Sequence, residues 1–440
     1  MSTFKLVELN YTEELIEHYS NFADLPGFVL LESSDKVVGR YDILSAFPYN
    51  SLSVLADSEN LAQIYSQLEQ ALSKPNYNLD LPFQGGAIGY FSYDFAAELV
   101  GLNNPRQAGL EAMPLVKLGL YDWAIISDHR LKKVFLFAAN NQPETAELVE
   151  KILALWKSPK KINSNVHLTQ SLAPIDSKSS YKKSFRSIHA ALQKGRAYQV
   201  NLTQPFKTCY EGDAFAMYKR IRAINPVPFS AFLHDDWADV LSFSPERFLL
   251  MDKGHLLTSP IKGTEKRSEV AIEDKLFQQK LLESSKNRAE NIMIVDLLRN
   301  DLGKISQTGT VKVRDLCALE SYQAVHHLVS HIEGLCRENI TPVQAFSYCF
   351  PGGSITGAPK LEAMRIISEE ETYSRGIYCG SIGYFSNHGR FDTNIAIRTA
   401  LASKGNLYLA AGGGIVIDSN CEEEYQECFT KLAAIEKGLN

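Results

Sequence analysis

The spacing of apolar and polar positions changes several times along the chain, and each change predicts a switch between strand and helix. Phe28–Glu32, Ala87–Tyr93, Trp123–Ser127 and Lys133–Ala138 alternate or run apolar over strand-length stretches, which predicts strands with one or both faces covered. Asn60–Leu72 and Glu144–Trp156 repeat their apolar residues at helical spacing. A polar stretch rich in Ser, Lys, Pro and Asn then runs from Lys157 to Ser180, with the composition of a connection between larger units. Beyond it, Tyr181–Lys194 predicts a helix stopped by Gly195. Strands follow at Ala197–Leu202, Ser230–Leu233, Val240–Phe243, Phe248–Met251 and His255–Ser259. A single long helix is expected over Glu273–Leu302, broken near Gly303, and a shorter one over Lys360–Glu370. The chain closes with strands at Ser381–Phe385, Asp392–Leu401 and Leu407–Ala411 and a helix over Cys421–Lys437. Strands and helices come in batches, which favours α+β with antiparallel sheets over strict βαβ alternation. The implied organisation is an N-terminal region over 1–157, a linker over 158–180 and a C-terminal region over 181–440.

Bulk properties narrow the function classes. With 440 residues, 45% hydrophobic and 22% charged, the chain has the balance of a soluble protein of two or three domain-sized units, or of one large intertwined fold. A formal net charge of -6 leaves no electrostatic footprint for nucleic acid. No apolar run reaches the ~20 residues of a membrane span, and the first residues lack a signal-peptide core. Seven cysteines without a Cys-x-x-Cys pair point to reduced thiols and a cytoplasmic location.

The candidate chemistry concentrates in the C-terminal half. Lys262 stands between Pro260 and Gly263, and Glu246 follows Pro245 at the end of an alternating stretch. An amine and a carboxylic acid aimed from strand ends are the parts needed for nucleophilic catalysis with proton donation; a surface ion pair is the competing reading. Gly412-Gly413-Gly414 directly follows the strand Leu407–Ala411, where bare backbone N–H groups can meet an anion. The segment Pro351–Lys360 leads into a helix N-terminus, another anion-binding geometry, but it lacks the lysine of a P-loop. Gln84–Gly89 reads as tight sheet packing. Glu424 and Glu427 share one face of the closing helix, and Glu290 lies in a helix turning apolar. If these faces meet, they form an oxygen-only site suited to a Mg2+ that keeps some waters; the alternative is a solvated acidic face. Arg398, placed in the strand Asp392–Leu401, is either a carboxylate clamp or the polar side of that strand. His326-His327 reads as one ligand-facing and one surface imidazole.

Taken in order, several motifs resemble the chorismate-utilising enzymes, and within them the aminodeoxychorismate synthase component I branch. They include Leu30-Leu31-Glu32-Ser33, Tyr198-Gln199-Val200-Asn201-Leu202, Ser244-Pro245-Glu246-Arg247, Pro260-Ile261-Lys262-Gly263-Thr264, Arg288-Ala289-Glu290-Asn291, His327-Leu328-Val329-Ser330, Gly357-Ala358-Pro359-Lys360 and Ala411-Gly412-Gly413-Gly414-Ile415. Two positions choose the branch. Anthranilate synthases typically carry alanine where this chain has Lys262, and water-adding relatives typically place a lysine where it has Gln199. The resemblance implies a four-layer α/β/β/α fold of two large, mainly antiparallel sheets, as in anthranilate synthase component I, with the N- and C-terminal regions interleaved. It implies that Lys262 attacks C2 of chorismate while the C4 hydroxyl leaves with a proton from Glu246. Ammonia then adds at C4 and expels the lysine, giving 4-amino-4-deoxychorismate, a precursor of 4-aminobenzoate and folate. Lys262 must give up a proton for this, with Lys266 and Arg267 its nearest cations in sequence, while Glu246 must keep its own.

Substrate contacts carry over onto Gly263, Thr264, His327, Tyr378, Arg398, Gly412, Gly413, Gly414 and Lys431. Mg2+ ligands carry over onto Glu290 and Glu427, with Glu424 supporting them. No Gly-x-Cys-x-Gly elbow surrounds any cysteine, so the resemblance implies a heterodimer with a separate glutamine amidotransferase that supplies ammonia. A tryptophan pocket of some relatives maps onto Ser33, Arg40, Tyr41, Pro228, Phe229 and Ser230. Phe229-Ser230 departs from the usual Tyr-Met there, which argues against feedback inhibition and leaves a structural amino-acid site open. The rival readings are an anthranilate synthase component I carrying a lysine at this position, and a catalytically idle regulatory or ligand-binding subunit.

Overall fold

The computed structural model describes residues 4–36, 38–56, 58–72, 77, 79–157, 165–323 and 325–439. Two large sheets, of 13 and 10 strands, face each other, and every strand pairing recorded is antiparallel. Alternation along the strands explains the layering. In the larger sheet Val29, Ile43, Ala124 and Ile126 meet Ile88, Tyr90, Ile382 and Tyr384 of the smaller one in a core between the sheets. Their sequence neighbours Leu30, Leu44, Ile125, Ala87, Phe91 and Phe385 point to the opposite faces and pack under helices. The result is the expected four-layer α/β/β/α, α+β architecture. Both sheets mix strands from the two ends of the chain. Val29–Glu32 pairs with Phe229–His234, and Gly86–Phe91 pairs with Ser381–Ser386.

Most predicted elements are present within a few residues. Lys133–Ala138 and His255–Ser259 match their predicted bounds. The helix expected from Tyr181 begins at Lys178, because Ser177 caps it by accepting the Ser180 N–H, and it ends at Gln193, with Lys194 as its C-cap before Gly195 at φ +74°. Of the 158–180 connection, 158–164 lie outside the described residues. The rest contributes His167–Leu168 and Ala173–Pro174, both paired to the long strand Gln199–Glu211.

Three expectations need correction, and each correction builds the site. The single helix over Glu273–Leu302 is two, Ala271–Glu283 and Ser285–Gly303; Ser284 leaves helical geometry and caps the second by accepting the Asn287 N–H. The strand Asp392–Leu401 is also two, in different sheets. Phe391–Asn394 pairs within the smaller sheet and Thr399–Ser403 within the larger, so residues 395–398 cross between them. Arg398 therefore sits in a crossover, with φ +51°, not in a strand. Gly412–Gly414 lie inside the strand Asn406–Ile415 rather than after it.

Candidate active site

Two crossovers between the sheets run side by side and carry the acid and the arginine. The first joins Asp239–Ser244 of the larger sheet to Arg247–Asp252 of the smaller one and carries Pro245 and Glu246. The second carries Ile395–Arg398. They bond to each other: Ile395 N–H donates to Glu246 O (3.0 Å), Phe243 N–H to Arg398 O (3.0 Å), and Ser244 Oγ to Ile395 O (2.6 Å). An alternating pattern continues through such a step, which is why periodicity alone joined Asp392 to Leu401.

Lys262 comes from the edge strand Ile261–Lys266. Its pairing with Val325–Leu335 slips between Ile261 and Thr264, a bulge that re-aims the intervening side chain. Gly263 makes the bulge possible. Its φ is +87°, and an added Cβ would lie 2.9 Å from Leu281 Cδ1 and 3.0 Å from the Asn287 side chain.

Lys262 and Glu246 meet across the short turn Gly353–Ile355. Lys262 Nζ donates to Ser354 O at 3.1 Å, and Ser354 Oγ donates to Glu246 Oε1 at 2.6 Å. Glu246 is buried, and desolvation raises its carboxyl above the ordinary range against the Ser354 hydrogen bond, the Lys262 and Lys431 charges and the Ile261 N–H. Burial favours the protonated, proton-donating form. Lys266 and Arg267 are not the cations of this site: Lys266 stacks on Phe277, while Arg267 pairs with Asp274 and donates to Tyr322 O. Lys431 takes that place, bonded to Gly412 O (2.7 Å) and Glu427 (2.7 Å).

Arg398 is half-buried, and among the described residues no carboxylate forms an ion pair with it; burial alone lowers its pKa. A guanidinium so placed is free to pair with an anion. His327 is buried beside it, and desolvation followed by the Arg398 charge lowers the imidazole to about 3. This neutral ring bonds Thr264 Oγ1 (2.8 Å) and the Gly263 backbone, tying it to the lysine bulge. His326 is not the surface residue that was expected. It is fully buried, bonded to Asp274 (2.9 Å) and Ser321 (2.8 Å). Tyr378 is buried, next to Cys379, whose N–H donates to Ala396 O in the second crossover.

The glycine triplet lines up against Asn201, Leu202 and Thr203. On the other edge, Thr399–Ser403 pairs only as far as Leu409, so among the described residues that side of the glycine backbone has no strand neighbour. A Cβ on Gly413 would come within 2.8 Å of Glu424 Oε2, and one on Gly414 within 2.3 Å of Gln199 Nε2. The Gln199 side chain is fully buried and has no hydrogen-bond partner among the described residues. The Gln84–Gly89 glycines serve packing, since Cβ atoms at Gly86 and Gly89 would strike Phe385 O and Lys117 O.

Glu424 and Glu427 share the helix Cys421–Leu439 as expected. Burial raises the Glu424 carboxyl, assisted by the Glu427 charge. Partial burial works against Glu427 too, but Lys431, Lys286 and Lys262 hold it below the usual range. Glu290 lies on the helix Ser285–Gly303, and Lys286, four residues earlier on that helix, reaches Glu424 at 3.8 Å. Among the described residues no three His, Cys, Asp or Glu side chains gather into one metal-holding group. The donor set nevertheless fits a hard cation: it is all oxygen, and a divalent ion would relieve the repulsion between Glu424, which is buried, and Glu427, which is exposed.

Ser354 escaped sequence reasoning. The signal available was Gly352-Gly353, two residues without side chains that make Ser354 the first polar group of the loop. A cavity of about 430 Å³ opens beside the strands Arg247–Asp252 and Ile261–Lys266. It is lined by Ser33, Arg40, Tyr41, Pro228, Phe229 and Ser230, the six residues expected to form an amino-acid pocket.

A family model described as chorismate binding enzyme matches residues 28–437. The chain is 40% identical over 447 residues to aminodeoxychorismate synthase component 1 of Salmonella typhimurium, covering 98% of this chain and 97% of that protein. It is likewise 40% identical over 451 residues to the Escherichia coli protein of the same name, covering 99% and 98%. Among solved structures, anthranilate synthase component I from Streptococcus pneumoniae superposes with a TM-score of 0.80 at 28% identity, over 91% of this chain and 92% of that one.

Proposed function

We propose that this chain, which belongs to the chorismate-binding enzyme family, is an aminodeoxychorismate synthase large subunit that converts chorismate and ammonia to 4-amino-4-deoxychorismate. The observation that carries this reading is the pairing of Lys262 with buried Glu246 across Ser354. An amine beside a protonated carboxyl is what a covalent displacement at a hydroxylated ring needs.

Lys262, having lost a proton, attacks C2. Both ring double bonds shift by one position, and the C4–O bond breaks as Glu246 gives its proton to the leaving hydroxyl, which departs as water. Ammonia forms the new bond at C4, both double bonds shift back, and the lysine leaves C2. Arg398 holds a substrate carboxylate, and neutral His327, bonded to Thr264 and the Gly263 backbone, faces the substrate without adding charge. Tyr378 and the glycine edge complete the cleft, and Lys431 anchors it through Gly412. Glu290, Glu424 and Glu427 would hold a Mg2+, which supplies charge neutralisation for the ring carboxylate.

A separate glutamine amidotransferase supplies the ammonia. The relatives' designation as component 1 supports a second component. Seven free cysteines are in keeping with the cytoplasm. Among the described residues no helix is long and apolar enough to cross a membrane. The cavity lined by Arg40, Tyr41 and Phe229 holds a structural amino acid, tryptophan by the resemblance to relatives that bind it; tryptophan released on denaturing the purified protein tests that, and its absence removes the site.

The activity is tested by mass spectrometry of the products from chorismate, Mg2+ and an ammonium salt at mildly alkaline pH. A product with one hydroxyl replaced by an amine and the enolpyruvyl group kept is expected, and Lys262→Ala should abolish covalent capture. Anthranilate with pyruvate would instead make the chain an anthranilate synthase. No turnover even with a glutaminase partner would leave the idle-subunit reading.

A further inference from the structure

Ser354 touches both reacting side chains with its two polar atoms. Its hydroxyl donates to Glu246 Oε1 (2.6 Å), and its carbonyl accepts from Lys262 Nζ (3.1 Å). The turn that carries it is held from every side. Cβ atoms on Gly352 and Gly353 would come within 2.5 Å of Ile395 Cδ1 and 2.4 Å of Leu297 Cδ2, so neighbouring side chains fill all the space there. Thr356 Oγ1 donates to Gly352 O (2.8 Å), and Arg375 Nη1 to Ile355 O (3.1 Å). Arg375 is buried and fixed by a two-point pair with Glu371 (2.8 and 2.6 Å) and a further bond to Asn201 O (2.9 Å). Ser354 itself is 5% exposed. A serine locked this firmly between an acid and an amine is a strut and not a chance contact.

We propose that Ser354 is the positioning residue that sets the catalytic acid against the nucleophile. Its hydrogen occupies Glu246 Oε1, which directs the acid's own proton to Oε2. Its carbonyl holds one N–H of Lys262, so the lone pair left after deprotonation turns away from the Gly353–Ile355 turn. Ser354 keeps its proton throughout: the proton delivered to the leaving hydroxyl comes from Glu246, and the electron pair that attacks comes from Lys262. The groups facing Glu246 are Lys262, Lys431, Ser354, the Ile261 N–H and the Cys379 thiol. Ser354 gives the carboxyl a side-chain hydrogen bond that can be removed without changing a charge. The inference rests on the roles proposed above for Lys262 and Glu246.

The test compares Ser354→Ala and Ser354→Thr with wild type in the full chain. Ser354→Ala should lower kcat about 10- to 100-fold with KM for chorismate little changed, the signature of lost positioning in the transition state. Losing a bond that favours the carboxylate raises the Glu246 pKa, so the limb of the pH–rate profile set by Glu246 should move to higher pH. Ser354→Thr, which keeps the hydroxyl, should restore both. A second readout needs no turnover. The infrared carboxyl stretch of protonated Glu246, assigned by its loss in Glu246→Gln, should rise in frequency in Ser354→Ala. If wild type makes no aminodeoxychorismate but the band shifts, the functional reading fails and the strut stands. Wild-type-like kcat, limb and band in Ser354→Ala would overturn the proposal. So would a loss of activity with neither limb nor band moved, since that is a folding defect.

Discussion

Arg398 and His327 share one charge that, among the described residues, no carboxylate pairs with. A guanidinium without a carboxylate partner is costly to bury, and under the proposed function that cost is offset when a substrate anion arrives. The same charge helps keep the His327 imidazole neutral, at about 3. Arg398→Ala should therefore raise KM for chorismate about 100-fold, the equivalent of losing charge-assisted hydrogen bonds worth about 3 kcal/mol. It should also raise the His327 pKa, because a repelling positive charge is withdrawn, while burial still holds it below the ordinary histidine value. Histidine titration by NMR reads this directly; an unmoved His327 would mean the guanidinium does not face the ring. Residue types alone marked both positions as candidates, but nothing in the sequence says that Arg398 lacks a partner.

Among the elements, the bulged edge strand Ile261–Lys266 does most to aim Lys262, the proposed nucleophile. Its flanking proline and glycine were legible in the sequence, and the positive φ of Gly263 is the reason for that glycine. Gly263→Ala should cost about 1–3 kcal/mol of stability through backbone strain. It should also lower kcat, because relaxing the contacts with Leu281 and Asn287 shifts Lys262. Gly254, in the hairpin turn before His255, also has a positive φ, but its Cβ position meets only Leu335 Cδ1, at an ordinary contact distance of 3.9 Å. Gly254→Ala is thus the control: similar strain by chemical denaturation, with activity kept. Equal kcat losses in both variants would separate the bulge from catalysis. The crossovers were the elements hidden from sequence reading. At Pro245-Glu246 the pattern breaks between two predicted strands but does not say that they lie in different sheets, and at Ile395–Arg398 the chain steps between sheets without breaking its apolar alternation.

At the scale of the whole molecule, the two sheets interleave the ends of the chain, so the cleft exists only when both are in place. Burial there is traded against stability. Desolvation raises the Glu246 carboxyl above its ordinary value. Its contribution to stability is therefore complete below the usual carboxylate range and is lost as pH rises through the raised value. Glu246→Gln, neutral at every pH, should be more stable than wild type at pH 8, by about 1 to 3 °C in Tm, with the two converging near pH 4. A variant less stable than wild type at pH 8 would show that the carboxylate is held there as an ion.

The sequence by itself determined the α+β class, most strand and helix positions, and the residue types of the acid, amine, arginine and carboxylates, because local periodicity and turn chemistry are written in neighbouring residues. Only the tertiary structure decided that Glu246 and Arg398 lie on adjacent crossovers, that Ser354 bridges acid and amine, and that Lys431 rather than Lys266 or Arg267 is the neighbouring cation. Those relations join residues far apart in the chain, and they are set by how two sheets pack rather than by any local pattern.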